Sequence, residues 1–513
     1  MNETESHTGP NDVTSDSIFR VNSVSKNFAV FSALAVENIA KSQNVALEMT
    51  LDTPVRLLLP QFRLPEKDWN DGGRDITLRM LASHNSGITR EGYSTDFNVV
   101  LGTDKANAMT IGEKWAAATP EGMIERVANT NLMYPPGKRA GYSNVGISIL
   151  ASAITNYYNN ITESDLTWND LMMQEILSPL NMTHTFLGSI PDELLPEIGV
   201  PGSPNWADLV IGLGYDPAAG MWSSANDLAK YLYDIWLRPD PLPLITLAQR
   251  RRLLQPDLAL PDGQQLVGPG WEINLFEVPT SDGPLALNRT YAVYGKSGNG
   301  GGWRSYIDVV ADLGYSLIIL AQSSFDINFA PIFPTTLASV AHQYLLPAFA
   351  EAVASQVEAR FAGRYGHGRD AGAIVDEVRN NGTNSTSYAR IEVEEQILYL
   401  RELVINGTSA LEAIDRLGWT DTYTGRYYST PAGTALTPAE SAGENDEFGP
   451  GAQVWRFSGL GQDACNWFDF DGYQDVNGWP LGKIVLVESE DGVELHYPPF
   501  DIVLSRMGTC SRH

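Results

Sequence analysis

From Ser25 to about Lys41 apolar residues fall on almost every helical face, which predicts a helix buried on all sides. The next stretch, "MTLDTPVRLLLPQF", sets Leu51, Val55, Leu58 and Leu59 on or beside a short helix that Pro54 can start. Helical spacing dominates from Ile76 to about Tyr233, broken by "PPG" at 135–137 and "GSPN" at 202–205. The period then changes to that of strands: "GWEINLFEV" (270–278), "TYAVYGKS" (290–297), "SYIDVVA" (305–311) and "YSLIILAQ" (315–322). Asp312-Leu313-Gly314 joins the last two as a hairpin turn. A helical pattern returns from Pro334 to about Phe361, with a break expected at Pro347.

After "FAGRYGHGRDAG" (361–372) the texture is one of short alternating strands between Gly/Asn/Asp turns. They include "YARIEVE" (388–394), "ILYLREL" (397–403), "QVWRF" (453–457), "KIVLVE" (483–488) and "VELHY" (493–497). This predicts a separate all-β domain. The expected organisation is a polar segment at 1–16, a mixed α/β domain at 17–350, a linker at 351–372 and a β-rich domain at 373–513.

At 513 residues the chain is too long for one core, in keeping with that division. Its net charge of -28 opposes contact with phosphate backbones or an anionic bilayer surface, so neither nucleic acid nor membrane is an expected partner. Cys465 and Cys510 are the two cysteines, and no Cys-x-x-Cys pair forms. One disulfide between them, implying an oxidising compartment, and two buried free thiols are both open. Seven Asn-x-Ser/Thr sequons lean towards a secreted glycoprotein. "MNETESHTGPNDVTSDS" has neither a basic nor an apolar region of a signal peptide, so the alternatives are a cytoplasmic protein and a chain lacking its original start.

Three polar clusters break the apolar runs. Ser23-Val24-Ser25-Lys26 stands at the mouth of the first helix. A serine hydroxyl is a weak nucleophile until a neighbour takes its proton, and a buried lysine three residues on can do so. The other reading is an N-cap serine and a solvated lysine. Tyr142-Ser143-Asn144 precedes a second apolar helix. The tyrosine suits a general base and Asn144 a substrate amide, but a helix cap explains the same residues. Lys296-Ser297-Gly298 ends an apolar strand, where glycine lets a substrate lie against the edge; a Gly-rich turn is the alternative. No Gly-x-Ser-x-Gly elbow, phosphate-binding loop or His-Glu-x-x-His is present, and neither a cofactor nor a metal is expected.

Ser-x-x-Lys, Tyr-x-Asn and Lys-x-Gly, in that order, resemble the motif set of the serine β-lactamase/penicillin-binding-protein superfamily, nearest to class C β-lactamases and their esterase relatives. "FRVNSVSKNF" is similar to the family's "FRIGSVSK", "ITLRMLASHNSGI" (76–88) to "ITLRHLLSHTSGL", and "PAAGMWSSANDLAKYL" (217–232) to "PAGGLWSTAADLARFL". The match covers about residues 17–345; the "FAGRY" start, the β-rich tail and the two late cysteines resemble secreted fungal β-lactamase-related proteins.

The resemblance implies a β-lactamase/transpeptidase-like fold, an antiparallel sheet flanked by helices plus a helical lobe. It implies an acyl-enzyme on Ser23, proton transfer by Lys26 and Tyr142, and substrate and Lys26 positioned by Asn144. Lys296 would keep the site cationic, favouring a tyrosinate and an anionic or carbonyl substrate, and Lys296, Ser297 and Gly298 would line the substrate. The backbone N–H groups of Ser23 and Asn299 would form the oxyanion hole, and His84 in "SHNSG" would be structural. The partner is then a small acyl substrate. An esterase, amidase or lactonase is favoured over a true β-lactamase, with an acyltransferase or cyclase of secondary metabolism, or a non-catalytic scaffold, as alternatives. In the family an N-terminal hairpin pairs with the last core strand. The 22 residues before Ser23 are too short and polar for it, so the hairpin is expected to be missing and strand 315–322 to be left as a bare edge.

Overall fold

The computed structural model of the chain describes residues 12–43, 45–65, 75–93, 111–188, 190–199, 210–279, 288–322, 333–366, 387–416, 428–440, 447–458, 473–490 and 492–507. The chain divides into two units, Met1–Glu277 with Thr290–Gln343, and Val278–Arg289 with Tyr344–His513. Cys465 and Cys510, and with them the disulfide expectation, lie outside the described residues.

The first unit is built on two long helices and two sheets. Helix Ser25–Gln43 is apolar all round because it is enclosed: Phe28, Phe31, Leu34 and Val36 are fully buried. Each such side chain contributes about 1.5–3 kcal/mol relative to an exposed one. It packs against helix Asn144–Thr162, whose Ile147, Leu150 and Ile154 belong to the same core. The shorter elements of the helical region include Val55–Leu58, started after Pro54 as expected, Leu78–Ala82 and Ala225–Tyr231. Three short strands, β1 (Phe19–Arg20), β2 (Phe186–Leu187) and β3 (Met221–Ser223), pair in the order β1-β3-β2.

The larger sheet is antiparallel and follows chain order. Its strands are β4 (Leu258–Ala259), β5 (Gln265–Gly268), β6 (Trp271–Pro279), β7 (Asn288–Gly300), β8 (Trp303–Val310) and β9 (Tyr315–Gln322). Gly314, at φ 69°, closes the hairpin from β8 to β9 in a conformation that suits glycine. Among the described residues β9 is the sheet's edge and pairs with β8 alone.

In the second unit the alternating segments are β10 (Gly363–Gly366), β11 (Tyr388–Glu394), β12 (Ile397–Ile405), β13 (Thr408–Ser409), β14 (Thr434–Glu440), β15 (Ala452–Ser458), β16 (Lys483–Ser489), β17 (Gly492–Tyr497) and β18 (Ile502–Arg506). β11 pairs with both β10 and β12, and β18 returns to β10. The predicted all-β domain is therefore a closed antiparallel barrel of eight strands, with β13 a stub on β12. Closure removes the open sheet edges that would otherwise template aggregation. Tyr365, Ile391, Leu400, Ile484, Leu486, Leu495 and Leu504 form one buried cluster.

Two expectations about the region between them need correction. Helix Pro334–Phe361 runs through Pro347 without a break; the proline forgoes one N–H and leaves the Gln343 carbonyl without its intrahelical donor. The expected linker is in part regular structure, since residues 351–361 finish this helix and Gly363–Gly366 is a barrel strand. Four residues with two glycines are too few to display a period of two.

A buried histidine–aspartate contact ties the first unit's sheet to the start of that helix. His342 Nε2 lies 2.7 Å from Asp308 Oδ2, both side chains being about 1% exposed or less. His342 Nδ1 lies 2.8 Å from the Tyr315 hydroxyl, and Leu317 N–H donates to Asp308 Oδ1. Removing one member leaves the buried polar atoms of the others without a partner. His342→Ala is expected to cost about 1–3 kcal/mol in denaturant unfolding, and His342→Ala with Asp308→Asn less than the two single changes added together.

Candidate active site

Ser23 lies in a 3₁₀ turn, Asn22–Val24, between β1 and the first long helix. Lys26 lies in the first turn of that helix, three residues on, and so reaches back to Ser23 with Nζ 2.9 Å from Oγ. Asn22 bears the turn's strain at φ 49°, in the position where the family segment "FRIGSVSK" has glycine. Its side-chain amide donates to the carbonyls of Gly300 and Trp303 at 3.5 and 3.4 Å, fastening the turn to the β7–β8 hairpin.

Tyr142 comes from the other long helix. Ser143 is that helix's N-cap, accepting from Gly146 N–H, so the capping reading and the functional one both hold here. The cap sets Tyr142 just outside the helix, where its hydroxyl donates to Ser23 Oγ at 2.7 Å. His84 lies against the phenol ring at 4.6 Å between centroids, and its Nδ1 accepts from Ser143 N–H. Burial, with Lys26, Lys296 and Arg90 nearby, pushes the His84 imidazolium well below its usual range, so it supports the tyrosine as a neutral ring.

The amine of Lys26 is 1% exposed. Besides Ser23 it donates to the Ala218 carbonyl at 2.6 Å, which a π-helical turn, Asp216–Gly220, presents. Burial pushes the Lys26 pKa down; the nearby Tyr142 opposes this and Lys296 adds to it. Burial also resists ionisation of Tyr142, but Lys26 and Lys296 outweigh it and hold the phenol below its usual value. The cations of Lys26, Arg90 and Lys296 lie 4.9, 4.9 and 5.4 Å from the Tyr142 ring centroid.

Two expected roles come out differently. Lys296 does not leave the site simply cationic, because its amine is paired with Glu272. The same carboxylate accepts from Ser297 N–H at 3.1 Å and from Ser297 Oγ at 2.8 Å. Burial works against the Lys296 charge, but Glu272 and Tyr142 raise its pKa, so it stays an ammonium. Asn144 does not hold Lys26: its Nδ2 donates to Glu91 Oε1 at 2.8 Å, and Tyr215 donates to Glu91 Oε2 at 2.9 Å. Glu272, Glu91, Arg90 and the Ala218 carbonyl are the site groups that sequence reasoning missed. The carboxylates are isolated in their segments, and only strand register and loop path reveal their partners.

Gly298 has a steric reason. A Cβ there would stand 2.1 Å from the Val21 carbonyl oxygen and 3.2 Å from Ser23 N. β7 thus runs directly beside the Ser23 backbone, which puts Asn299 one residue from that contact. A serine hydroxyl, a buried amine and a phenol are thus joined by hydrogen bonds beside a strand edge.

Gly298→Ala must push β7 away from Ser23. Displacements of about 1 Å cost on the order of 10²-fold in rate, so labelling of Ser23 by a fluorophosphonate is expected to slow by about that factor. Lys296→Met removes a cation that holds Tyr142 and Lys26 down. Their pKa values then rise, and the labelling rate, which needs the deprotonated relay, is expected to climb at higher pH than in the native protein.

The sequence profile of the family described as Beta-lactamase matches residues 4–339. A "Beta-lactamase-like protein" from Arthroderma benhamiae is 25% identical over 439 residues, covering 81% of this chain and 65% of its own length. "Beta-lactamase-like protein 2" from Dictyostelium discoideum is 25% identical over 287 residues, covering 54% of this chain and 47% of the relative. The chain thus spans less than two thirds of either. Among solved structures, a beta-lactamase/D-alanine carboxypeptidase from Yersinia pestis complexed with citrate aligns at a TM-score of 0.48 and 20% identity, over 65% of this chain and 84% of its own.

Proposed function

Since the chain belongs to the beta-lactamase family, a family of serine acyl hydrolases, we propose that it hydrolyses a small ester, amide or lactone through an acyl-enzyme on Ser23. One observation carries this reading: Ser23 Oγ is held at once by Lys26 Nζ at 2.9 Å and by the Tyr142 hydroxyl at 2.7 Å.

Ser23 Oγ attacks the carbonyl carbon, and its proton passes to the Lys26–Tyr142 pair. The backbone N–H groups of Ser23 and Asn299 receive the developing oxyanion, at about 3–4 kcal/mol per donor. Collapse returns the proton to the leaving group. Water then attacks the acyl-enzyme, with the same pair as base and Ser23 as leaving group. A β-lactam is the less fitting substrate. A carboxylate needs a free cation or hydroxyl at the strand edge, and here Lys296 and Ser297 are both bound to Glu272. For the same reason an anionic acyl substrate gives way to a neutral one.

Incubation with a fluorophosphonate and peptide mapping is expected to find the adduct on Ser23; an adduct on another serine with Ser23 free defeats the mechanism. Tyr142→Phe and Lys26→Met are each expected to lower hydrolysis of 4-nitrophenyl butyrate by at least about 10²-fold, and full activity in either removes that residue from the relay.

A further inference from the structure

The second unit carries a cavity of its own, of about 290 Å³, where β17 turns into β18. That is about ten water volumes, room for one six-membered ring. Three rings wall it: Phe448, Trp479 and His496. Phe448 stands 5.9 Å from Trp479 at 50° and 6.5 Å from His496 at 88°, so the ring planes are inclined to one another rather than stacked.

The polar groups of the cavity are Asn477 and Asp501. Asp501 caps the 3₁₀ turn Pro498–Phe500 at φ 49°, and its exposed carboxylate makes no hydrogen bond or ion pair among the described residues. The loop that carries Trp479 is held from within: Asp475 Oδ1 accepts from Asn477 N–H at 2.9 Å and from Trp479 N–H at 2.8 Å. The site is therefore shaped without a ligand.

Its chemistry narrows what fits. Lys483 Nζ already lies 5.0 Å from the Phe448 ring centroid and 4.9 Å from that of Trp479, with Glu447 at 3.9 Å. The protein's own ammonium thus uses the negative charge of both rings, and a second cation there meets like charge. An ionised carboxylate only accepts hydrogen bonds. The ligand must then bring O–H donors on a rigid frame that also offers an apolar face.

We propose that this cavity binds the pyranose ring of a sugar, with its C–H face against Trp479 and Phe448 and a hydroxyl donating to Asp501. Ring C–H groups beside oxygen carry partial positive charge, which suits the aromatic faces. The Asn477 amide serves a further hydroxyl. The ring belongs to a free monosaccharide or to the end of a glycan chain, and the site stands whether or not Ser23 is acylated.

The test is saturation-transfer difference NMR on the 513-residue chain with glucose, galactose, mannose, N-acetylglucosamine and their methyl glycosides. At least one sugar is expected to receive saturation mainly on one ring face, with a Kd of about 1 mM, the scale for a ligand this small. Trp479→Ala is expected to abolish the transfer. Asp501→Asn, at an exposed position whose backbone asparagine tolerates, is expected to weaken binding by about 10-fold, because it removes a charge-assisted hydrogen bond. Ser23→Ala is expected to bind as the native chain does. A methyl glycoside that binds as well as its free sugar supports a glycan end, and one that does not supports a free monosaccharide. No one-sided transfer from any of these sugars, binding unchanged in Asp501→Asn and Trp479→Ala, or binding lost in Ser23→Ala overturns the site. Binding of choline in place of the sugars makes it a cation cage and overturns it too.

Discussion

The burial of one amine organises the site. Lys26 is enclosed at 1% exposure, and an ammonium moved out of water costs several kcal/mol unless its hydrogens find partners. The chain supplies them from segments far apart in sequence: Ser23 Oγ from the 3₁₀ turn and the Ala218 carbonyl from the Asp216–Gly220 turn. The face of Tyr142, brought by the start of the second long helix, adds a third favourable contact. These contacts draw three distant segments together around the amine. Even so, burial leaves the amine easier to deprotonate than in water.

Lys296 does something different because its counterion is different. Paired with Glu272, it holds its proton more firmly than a free lysine, although burial works against the charge. It still acts on Tyr142. At 5.4 Å from the ring and an effective dielectric near 20, a unit charge is worth on the order of 3 kcal/mol, enough to outweigh part of the phenol's desolvation. The two lysines thus differ in charge behaviour: burial lowers the pKa of Lys26, and Glu272 raises that of Lys296. Glu272 pins Ser297 as well, so the strand edge is set before any substrate arrives.

Much of this was legible in the sequence because the signals are local. The all-round apolar helix and the strands at 315–322 and 388–394 follow from periodicity alone, and the structure places them at those residues. Ser23, Lys26 and Tyr142 stood out because polar residues interrupt apolar runs there. Relations set by tertiary register were not legible. Nothing in "GWEINLFEV" marks Glu272 as the partner of a lysine on the next strand. Nothing in "TREGYS" marks Glu91 as the residue that turns Asn144 around. Barrel closure rests on the pairing of β10 with β18, segments too short and too distant to announce one another. Pro347 misled for the opposite reason: a strong local rule for breaking a helix was overridden by its surroundings.

The placement of Ser23 comes from backbone constraints rather than from its own side chain. Asn22 occupies the left-handed region, where most residues are strained, and its amide bridges to the β7–β8 hairpin. Ser305 Oγ donates to the Val21 carbonyl at 2.6 Å, and Met221 N–H donates to Ser25 Oγ at 3.1 Å. Gly298 allows β7 to close on the same turn from the other side. The residues flanking Ser23 are thus held by β7, β8 and β3, while its hydroxyl is left to the amine and the phenol. Ser23 is therefore fixed through its backbone, with the amine and the phenol already on its oxygen.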